Sequence, residues 1–139
     1  MLTTAFASAA RMQSLASLGA LEIHRSAIAR VVVYALPGNL STMIAVTPAA
    51  LEHFVGVHKS IVSKRSEIDA LIAAFHSGKP RSESQPFDAR FGVVFEDRAG
   101  GRRFTAYTNA GASRGLLGHR LVAFDEPSPL LLELRRASR

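Results

Sequence analysis

The stretch RFGVVFEDRAGGRRFTAY, residues 90–107, decides the fold. Apolar residues occupy every second position in its first half, and the same alternation resumes after the break RAGG. This period is typical of strands with one buried face, and a short glycine-containing break between two such strands indicates a hairpin. A buried sheet face needs a second layer to cover it. The residues predicted to face the interior are Phe91, Val93, Phe95 and Phe104.

Regular structure in the N-terminal half is predicted from a run of three valines, residues 31–33. Successive β-branched residues predict a strand over residues 28–36 that is buried on nearly both faces. Residues 42–46 predict a second, short strand. Thr47-Pro48 combines a capping hydroxyl with proline at the first helical position. This pair predicts a short helix that turns Leu51, Phe54 and Val55 inward.

Two interpretations compete for residues 56–77. Residues spaced three and four apart would allow one long helix that begins before this segment. Against this, Gly56 weakens a helix interior, and the β-branched residues around it suit a strand. Ser66 with Glu67 and Asp69 supplies a cap and first-turn acids for a new helix. The sequence favours the break, followed by a helix over residues 66–77 whose buried residues are Ile68, Leu71, Ile72 and Phe75.

The C-terminal half predicts a loop, a strand pair and a helix around the hairpin. Residues 78–87 are polar and predict a loop within one core. Glycines at positions 111, 115 and 118 punctuate a short strand pair that ends near residue 124. Ser128-Pro129 again combines a cap with proline and predicts a last helix with an apolar side of Leu130, Leu131 and Leu134. The predicted fold class is α+β, a mostly antiparallel sheet with two or three helices packed on one face.

Length and composition limit the class of protein. The 139 residues, of which 47% are hydrophobic, fit a single domain over residues 1–139. The absence of cysteine excludes disulfides and thiolate chemistry, and no apolar run reaches the length of a membrane span. Residues 1–21 predict either a frayed or helical N-terminal segment or a targeting remnant. The expected location is therefore cytoplasmic by default, and periplasmic or exported if this segment is a targeting remnant.

The net charge of +6 raises the question of nucleic-acid binding, because phosphate backbones bind clustered Lys and Arg. Basic and acidic side chains number three and one in residues 1–30, five and four in residues 31–87, and nine and six in residues 88–139. The excess is spread along the chain and forms no run. This distribution favours a solvated surface with a mild attraction for acidic partners.

No motif specifies a reaction. His53 and His58 are five residues apart, which turns them well away from each other on a helix and suits no shared metal. Acidic neighbours such as Glu67 and Asp69 are explained by a helix N-terminus. GASRGLLG, residues 111–118, precedes a predicted strand, whereas a phosphate loop needs a helix there. We expect no enzyme activity, cofactor or metal, and an unorthodox histidine–carboxylate site is the enzymatic alternative.

The hairpin face opposite the phenylalanines is the predicted partner-binding site, with Arg90, Arg103, Thr105 and Tyr107. Arg and Tyr are enriched at protein interfaces, and Tyr beside Arg also suits stacking on single-stranded nucleic acid. The expected function is a non-enzymatic protein-binding module with an acidic partner; the alternative is a basic nucleic-acid-binding domain that uses the same face. In layout, the small cysteine-free α+β chain resembles bacterial immunity proteins, which implies a toxin or effector as partner. The oligomeric state is left open.

Overall fold

The structure, a computed structural model, describes residues 25–37, 45–81, 88–125 and 128–139. A 3₁₀ turn covers Arg25–Ala27, and the helices are α1 (Pro48–Leu51), α2 (Arg65–Phe75) and α3 (Pro129–Ala137). The strands are β1 (Arg30–Ala35), β2 (His58–Val62), β3 (Lys79–Pro80), β4 (Phe91–Glu96), β5 (Arg102–Thr108), β6 (Arg114–Leu117) and β7 (Arg120–Ala123). Within the described ranges, every helix is too short or too polar to cross a bilayer.

The seven strands form one antiparallel sheet in the order β2-β1-β4-β5-β6-β7-β3. β1 lies between β2 and β4, so that Val32 is opposite Ile61 on one side and opposite Val94 on the other. All three residues of the valine run are buried. Both faces of β1 are therefore shielded, as β-branched residues in succession predict.

The predicted hairpin is formed by β4 and β5. Phe95 is opposite Phe104, and a bulge after this pair shifts the register so that Glu96 is opposite Arg102. Arg103 is therefore the extra residue of the bulge on β5, next to the turn, and no residue of β4 is opposite it. All four residues predicted to face the interior are buried, so the assignment of the two hairpin faces is confirmed.

Asp97 closes the turn between these strands. Its Oδ1 accepts hydrogen bonds from the backbone N–H groups of Ala99 and Gly101, at 3.0 and 2.8 Å. Gly100 has φ of 85°, a backbone conformation that glycine adopts without steric cost. The turn is thus fixed by an acidic side chain that caps its own backbone.

α2 and α3 pack on one face of the sheet, here called the core face. Phe75 of α2 is fully buried, and its ring meets those of Phe95 and Phe124 edge-on, with centroids 6.1 and 6.3 Å apart. Ser128 caps α3 by accepting a hydrogen bond from the Leu131 N–H at 3.3 Å. The α+β fold class is confirmed, with these two helices on the core face. Core-face residues of the sheet are Val31, Val33, Phe91, Val93, Phe95, Phe104, Ala106, Leu117 and Val122.

The favoured break in residues 56–77 is confirmed, because β2 separates α1 from α2. The helix begins at Arg65 rather than Ser66, and Lys64 precedes it without a side-chain cap. Arg65 instead donates through Nη1 to the Ile28 carbonyl oxygen at 2.8 Å, a tertiary contact that holds this end of the helix. The prediction that Val55 points inward is wrong. It is 89% exposed, because the chain turns at residues 55–56 between α1 and β2.

The predicted loop after α2 contains one element that the sequence did not indicate. Lys79 and Pro80 form β3 and pair with Ala123 and Val122 of β7. A two-residue edge strand has no periodicity to detect. Three predictions fall partly or wholly outside the described residues: the strand over residues 42–46, the loop over residues 78–87 and the segment of residues 1–21.

Candidate functional site

The face opposite α2 and α3, here called the second face, is only partly open. α1 lies on it because Gly92 leaves room: a Cβ there would be 3.0 Å from Leu51 Cδ2 and 3.2 Å from the Tyr107 ring. Val94 is 1% exposed, whereas Thr105 and Tyr107 are half-buried. This face is therefore partly exposed, with Thr105 and Tyr107 half-buried beside α1. The apolar cluster on this side contains Leu36, Val46, Leu51 and Ala89, with Tyr34, Phe54, Val57 and Tyr107 packed against it.

Glu52, which follows α1, joins this cluster to the hairpin. The Arg102 guanidinium donates from Nη1 and Nη2 to its two carboxylate oxygens, at 2.9 and 2.7 Å. The hydroxyl of Tyr107 donates to Glu52 Oε1 at a longer 3.4 Å. Two parallel bonds between a guanidinium and a carboxylate give a fixed geometry as well as attraction. The pair therefore holds the end of α1 on the second face of the sheet.

The same contacts shift the pKa values of the cluster. Hydrogen bonds from Arg102 lower the pKa of Glu52 below its ordinary value, against the opposing effect of burial. Burial, followed by the charge of Glu52, raises the pKa of Tyr107, and the same two causes raise that of Tyr34. Both phenols are therefore protonated and Glu52 is ionised at neutral pH. The cluster is suited to hydrogen bonding rather than to proton transfer near pH 7.

The structure separates the four predicted contact residues into three places. Thr105 and Tyr107 lie on the second face, two residues apart on β5. Arg103 is at the hairpin bulge, where its Nε donates to Asp97 Oδ2 at 3.0 Å. Arg90 precedes β4, and its Nε donates to Asp88 Oδ2 at 2.7 Å. Its side chain lines a cavity beside the end of α3 and so does not join Tyr107 in one patch.

An edge surface adjoins the second face along β2. Here we define it as Val55, Lys59, Ile61 and Lys64. Ile61 is 61% exposed, although it lies in a strand and opposite the buried Val32. The Lys59 ammonium lies 6.0 Å from the centroid of the Tyr34 ring, a position suited to cation–π attraction. β1 is the strand that pairs with β2, and no strand of the described residues pairs with the other edge of β2.

Among the described residues, one histidine and one carboxylate, His58 and Asp88, line the same cavity. No group of three metal-ligating side chains occurs in this part of the chain. His53 is exposed at the end of α1 and His58 is exposed at the start of β2. His76 caps the end of α2, whereas His119 is exposed in the turn between β6 and β7. His24 lies outside the described residues.

The glycine-rich segment 111–118 is a structural turn followed by a strand. Asn109 Oδ1 accepts from the backbone N–H groups of Ser113 and Arg114, at 3.0 and 3.2 Å. These donors are the kind that a phosphate loop would offer to its ligand. Gly115 lies within β6 rather than at a turn, and a Cβ there would be 2.9 Å from the Tyr107 carbonyl oxygen. Close packing between strands explains this glycine.

Sequence reasoning missed several residues of the site. The sequence pattern predicts Tyr34 only as part of a strand and indicates no role for Glu52. The contact between Glu52 and Arg102 spans fifty positions, so no local pattern signals it. Ile61 lies between Lys59 and Lys64 in the sequence, and β2 alternates poorly between polar and apolar residues. This pattern could have indicated that Ile61 is exposed.

Known proteins add no assignment to this geometry. Comparison of the chain with protein-family models, with curated proteins and with solved structures finds no match.

Proposed function

We propose that this chain is a non-enzymatic protein-binding module that contacts its partner through the edge surface and the adjoining part of the second face. The observation that carries the proposal is Ile61, an apolar side chain 61% exposed on an edge strand. Full burial of an exposed Ile side chain contributes about 1.5–3 kcal/mol, and burying the exposed part of Ile61 would contribute a corresponding share of this. The free edge of β2 offers main-chain hydrogen bonds to an added strand in the same contact.

The neighbouring side chains suit a protein interface. Tyr34, Thr105 and Tyr107 are half-buried, so each presents part of its surface without needing to be reordered on binding. Half-buried tyrosines offer large contact area at a low entropic cost, which is why Tyr is enriched at interfaces. The edge surface and these three residues lie on the consecutive strands β2, β1, β4 and β5, with the buried Val32 and Val94 between Ile61 and Thr105.

The charge of the region favours an acidic partner. Neither Lys59 nor Lys64 forms an ion pair with a carboxylate of the described residues. A partner segment that combines acidic and apolar side chains would therefore match Ile61 and the two ammonium groups together. The resemblance in layout to bacterial immunity proteins, an analogy at the level of architecture only, makes a toxin or effector the first partner to test.

Nucleic-acid binding is supported less well by this surface. Three arginines of the hairpin side are each held by a carboxylate: Arg30 by Glu96 at 2.6 Å, Arg102 by Glu52 and Arg103 by Asp97. Each pairing offsets a positive charge that would otherwise attract a phosphate. Because fewer unpaired guanidinium groups would contact the phosphates, fewer counterions would be released from the nucleic acid on binding.

The test compares Ile61→Asp with Leu132→Asp, because Leu132 is similarly exposed at 64% but lies on α3 at the other side of the sheet. The partner is captured from the native host with the wild-type chain, purified, and titrated against both variants by calorimetry. We expect Ile61→Asp to weaken binding by at least about tenfold and Leu132→Asp to leave it unchanged.

Equal affinity of the two variants would contradict the placement of the interface, provided that urea unfolding shows both to be folded. If Ile61→Asp still binds the partner but Arg103→Glu does not, the contact lies at the hairpin turn instead of the β2 edge. Oligonucleotide binding that falls steeply with salt would contradict protein binding as the main activity.

A further inference from the structure

A cavity of about 620 Å³ opens at the end of the sheet where β1, β2 and the C-terminal turn of α3 meet. Its volume lies in the range of sites that hold small organic molecules. Its walls combine apolar and cationic side chains. The residues that line it are Ala35, Leu36, Pro37, His58, Asp88, Arg90, Phe91, Ala110, Arg135 and Ser138.

One wall of the cavity is held rigidly. Asp88 Oδ1 accepts from the Val46 N–H at 2.6 Å, and Asp88 Oδ2 accepts from Arg90 Nε at 2.7 Å. Both oxygens of this carboxylate are thus engaged, and the Arg90 side chain is 12% exposed. Because the negative charge of Asp88 is already compensated, it repels an entering anion only weakly.

The lining also includes Arg135, a cation without an ion pair among the described residues. Arg135 lies in the last turn of α3, and no carboxylate of the described residues contacts its guanidinium. The adjacent Arg136 is instead bound to Glu133 at 3.4 Å. The last carbonyl groups of a helix carry partial negative charge, which Arg135 offsets at the cavity. His58 also lines the cavity, and its imidazole nitrogens can donate or accept a further hydrogen bond.

The floor of the cavity is apolar. Ala35, Leu36 and Phe91 are each buried to more than nine-tenths, and they belong to the two hydrophobic clusters that meet here. A ligand that fits this lining would have an apolar body against these residues and an anionic group at Arg135. A planar guanidinium is the cation best matched to a carboxylate.

We propose that this cavity binds a small monocarboxylate with an aliphatic or aromatic body. The residues that line the cavity are not residues of the edge surface. The proposal of a ligand in the cavity can therefore be tested independently of the proposed protein contact. Arg135 supplies the carboxylate contact, and Ala35, Leu36 and Phe91 supply the apolar contact.

The experiment titrates the full chain with hexanoate and with hexanamide, its uncharged counterpart, while backbone amide signals are recorded by ¹H–¹⁵N NMR. Hexanoate is expected to shift the amides of Ala35, Ala110 and Ser138, and hexanamide to bind more weakly. Arg135→Gln removes the proposed carboxylate contact, and Arg136→Gln is the matched control because it lies one position away outside the cavity. We expect Arg135→Gln to weaken hexanoate binding by roughly fivefold, and Arg136→Gln to leave it unchanged.

The proposal is overturned if hexanoate causes no shifts at the cavity, or if hexanamide binds as tightly as hexanoate. It is also overturned if both arginine variants weaken binding equally, since this would indicate general attraction of the anion to a basic protein. The native spectra of both variants show whether α3 remains folded, because Leu130 and Leu134 of this helix are buried in the core.

Discussion

Replacing Gly115 by alanine is expected to lower the free energy of unfolding by about 1–2 kcal/mol. A Cβ at this position would be 2.9 Å from the Tyr107 carbonyl oxygen and 3.2 Å from Phe124 Cε2. The carbonyl belongs to β5, the strand bonded to β6, so it cannot rotate away as a side chain could. Overpacking costs about 1–3 kcal/mol, and about 0.5–1 kcal/mol is regained because alanine is favoured over glycine within a strand.

Gly111 provides the matched control, four residues earlier in the same glycine-rich segment. A Cβ there would have no neighbour within 4 Å, and its backbone lies outside the positive-φ region. Alanine also restricts the unfolded chain more than glycine does. Gly111→Ala is therefore expected to leave stability unchanged or to raise it by about 0.4–1 kcal/mol.

Urea unfolding followed by circular dichroism measures both effects. With an m-value of about 1–3 kcal/mol/M, Gly115→Ala is expected to lower the midpoint by roughly 0.5–1 M without changing m. A midpoint at or above that of the wild type, or equal effects of the two substitutions, would refute the explanation of Gly115 by close strand packing. That result would restore the interpretation of residues 111–118 as a segment whose glycines serve turns.

Two further predictions concern single hydrogen-bonded side chains. Glu52→Gln is expected to lower stability at neutral pH by about 0.5–1 kcal/mol, since half of the Arg102 side chain is exposed to screening solvent. The folded-state pKa of Glu52 lies below its ordinary 4.5, so this stabilisation is present above 4.5 and lost as pH falls through the folded value; urea midpoints of variant and wild type should then converge in acid. Ser128→Ala removes the acceptor for the Leu131 N–H and should cost about 0.5–2 kcal/mol in urea unfolding, whereas Ser138→Ala at the other end of α3 should cost less.

The fold was predictable wherever short-range patterns carry it. The alternation of the hairpin follows from the two-residue period of a strand, and it placed Phe95 and Phe104 correctly in the core. Thr47 and Ser128 each cap the helix that the sequence predicted, because a hydroxyl followed by proline satisfies the first turn locally. These signals need no knowledge of the rest of the chain.

The candidate site was predictable only in part, because long-range contacts decide which side chains are available. The alternation placed Thr105 and Tyr107 on the second face, but it gave no sign that Glu52 would bind Arg102. Arg90 precedes β4 and leaves the alternation, so its side chain lines the cavity instead of the sheet face. Ion pairs between residues far apart in sequence are invisible to periodicity.

These ion pairs show that part of the positive charge behind the net charge of +6 is already bound to carboxylates within the protein. Arg30, Arg102 and Arg103 each bind a carboxylate, and removing one partner of a partly buried pair would leave the other charge uncompensated. Their main effect is therefore to fix the turn, the strands and α1 relative to one another. Basic side chains without an ion pair among the described residues include Lys59 and Lys64, Arg135 at the cavity, and also Arg98, Arg114 and Arg139. For this reason we propose recognition at the β2 edge and at the end of α3 rather than at Arg102 and Arg103 of the hairpin, which are held by carboxylates.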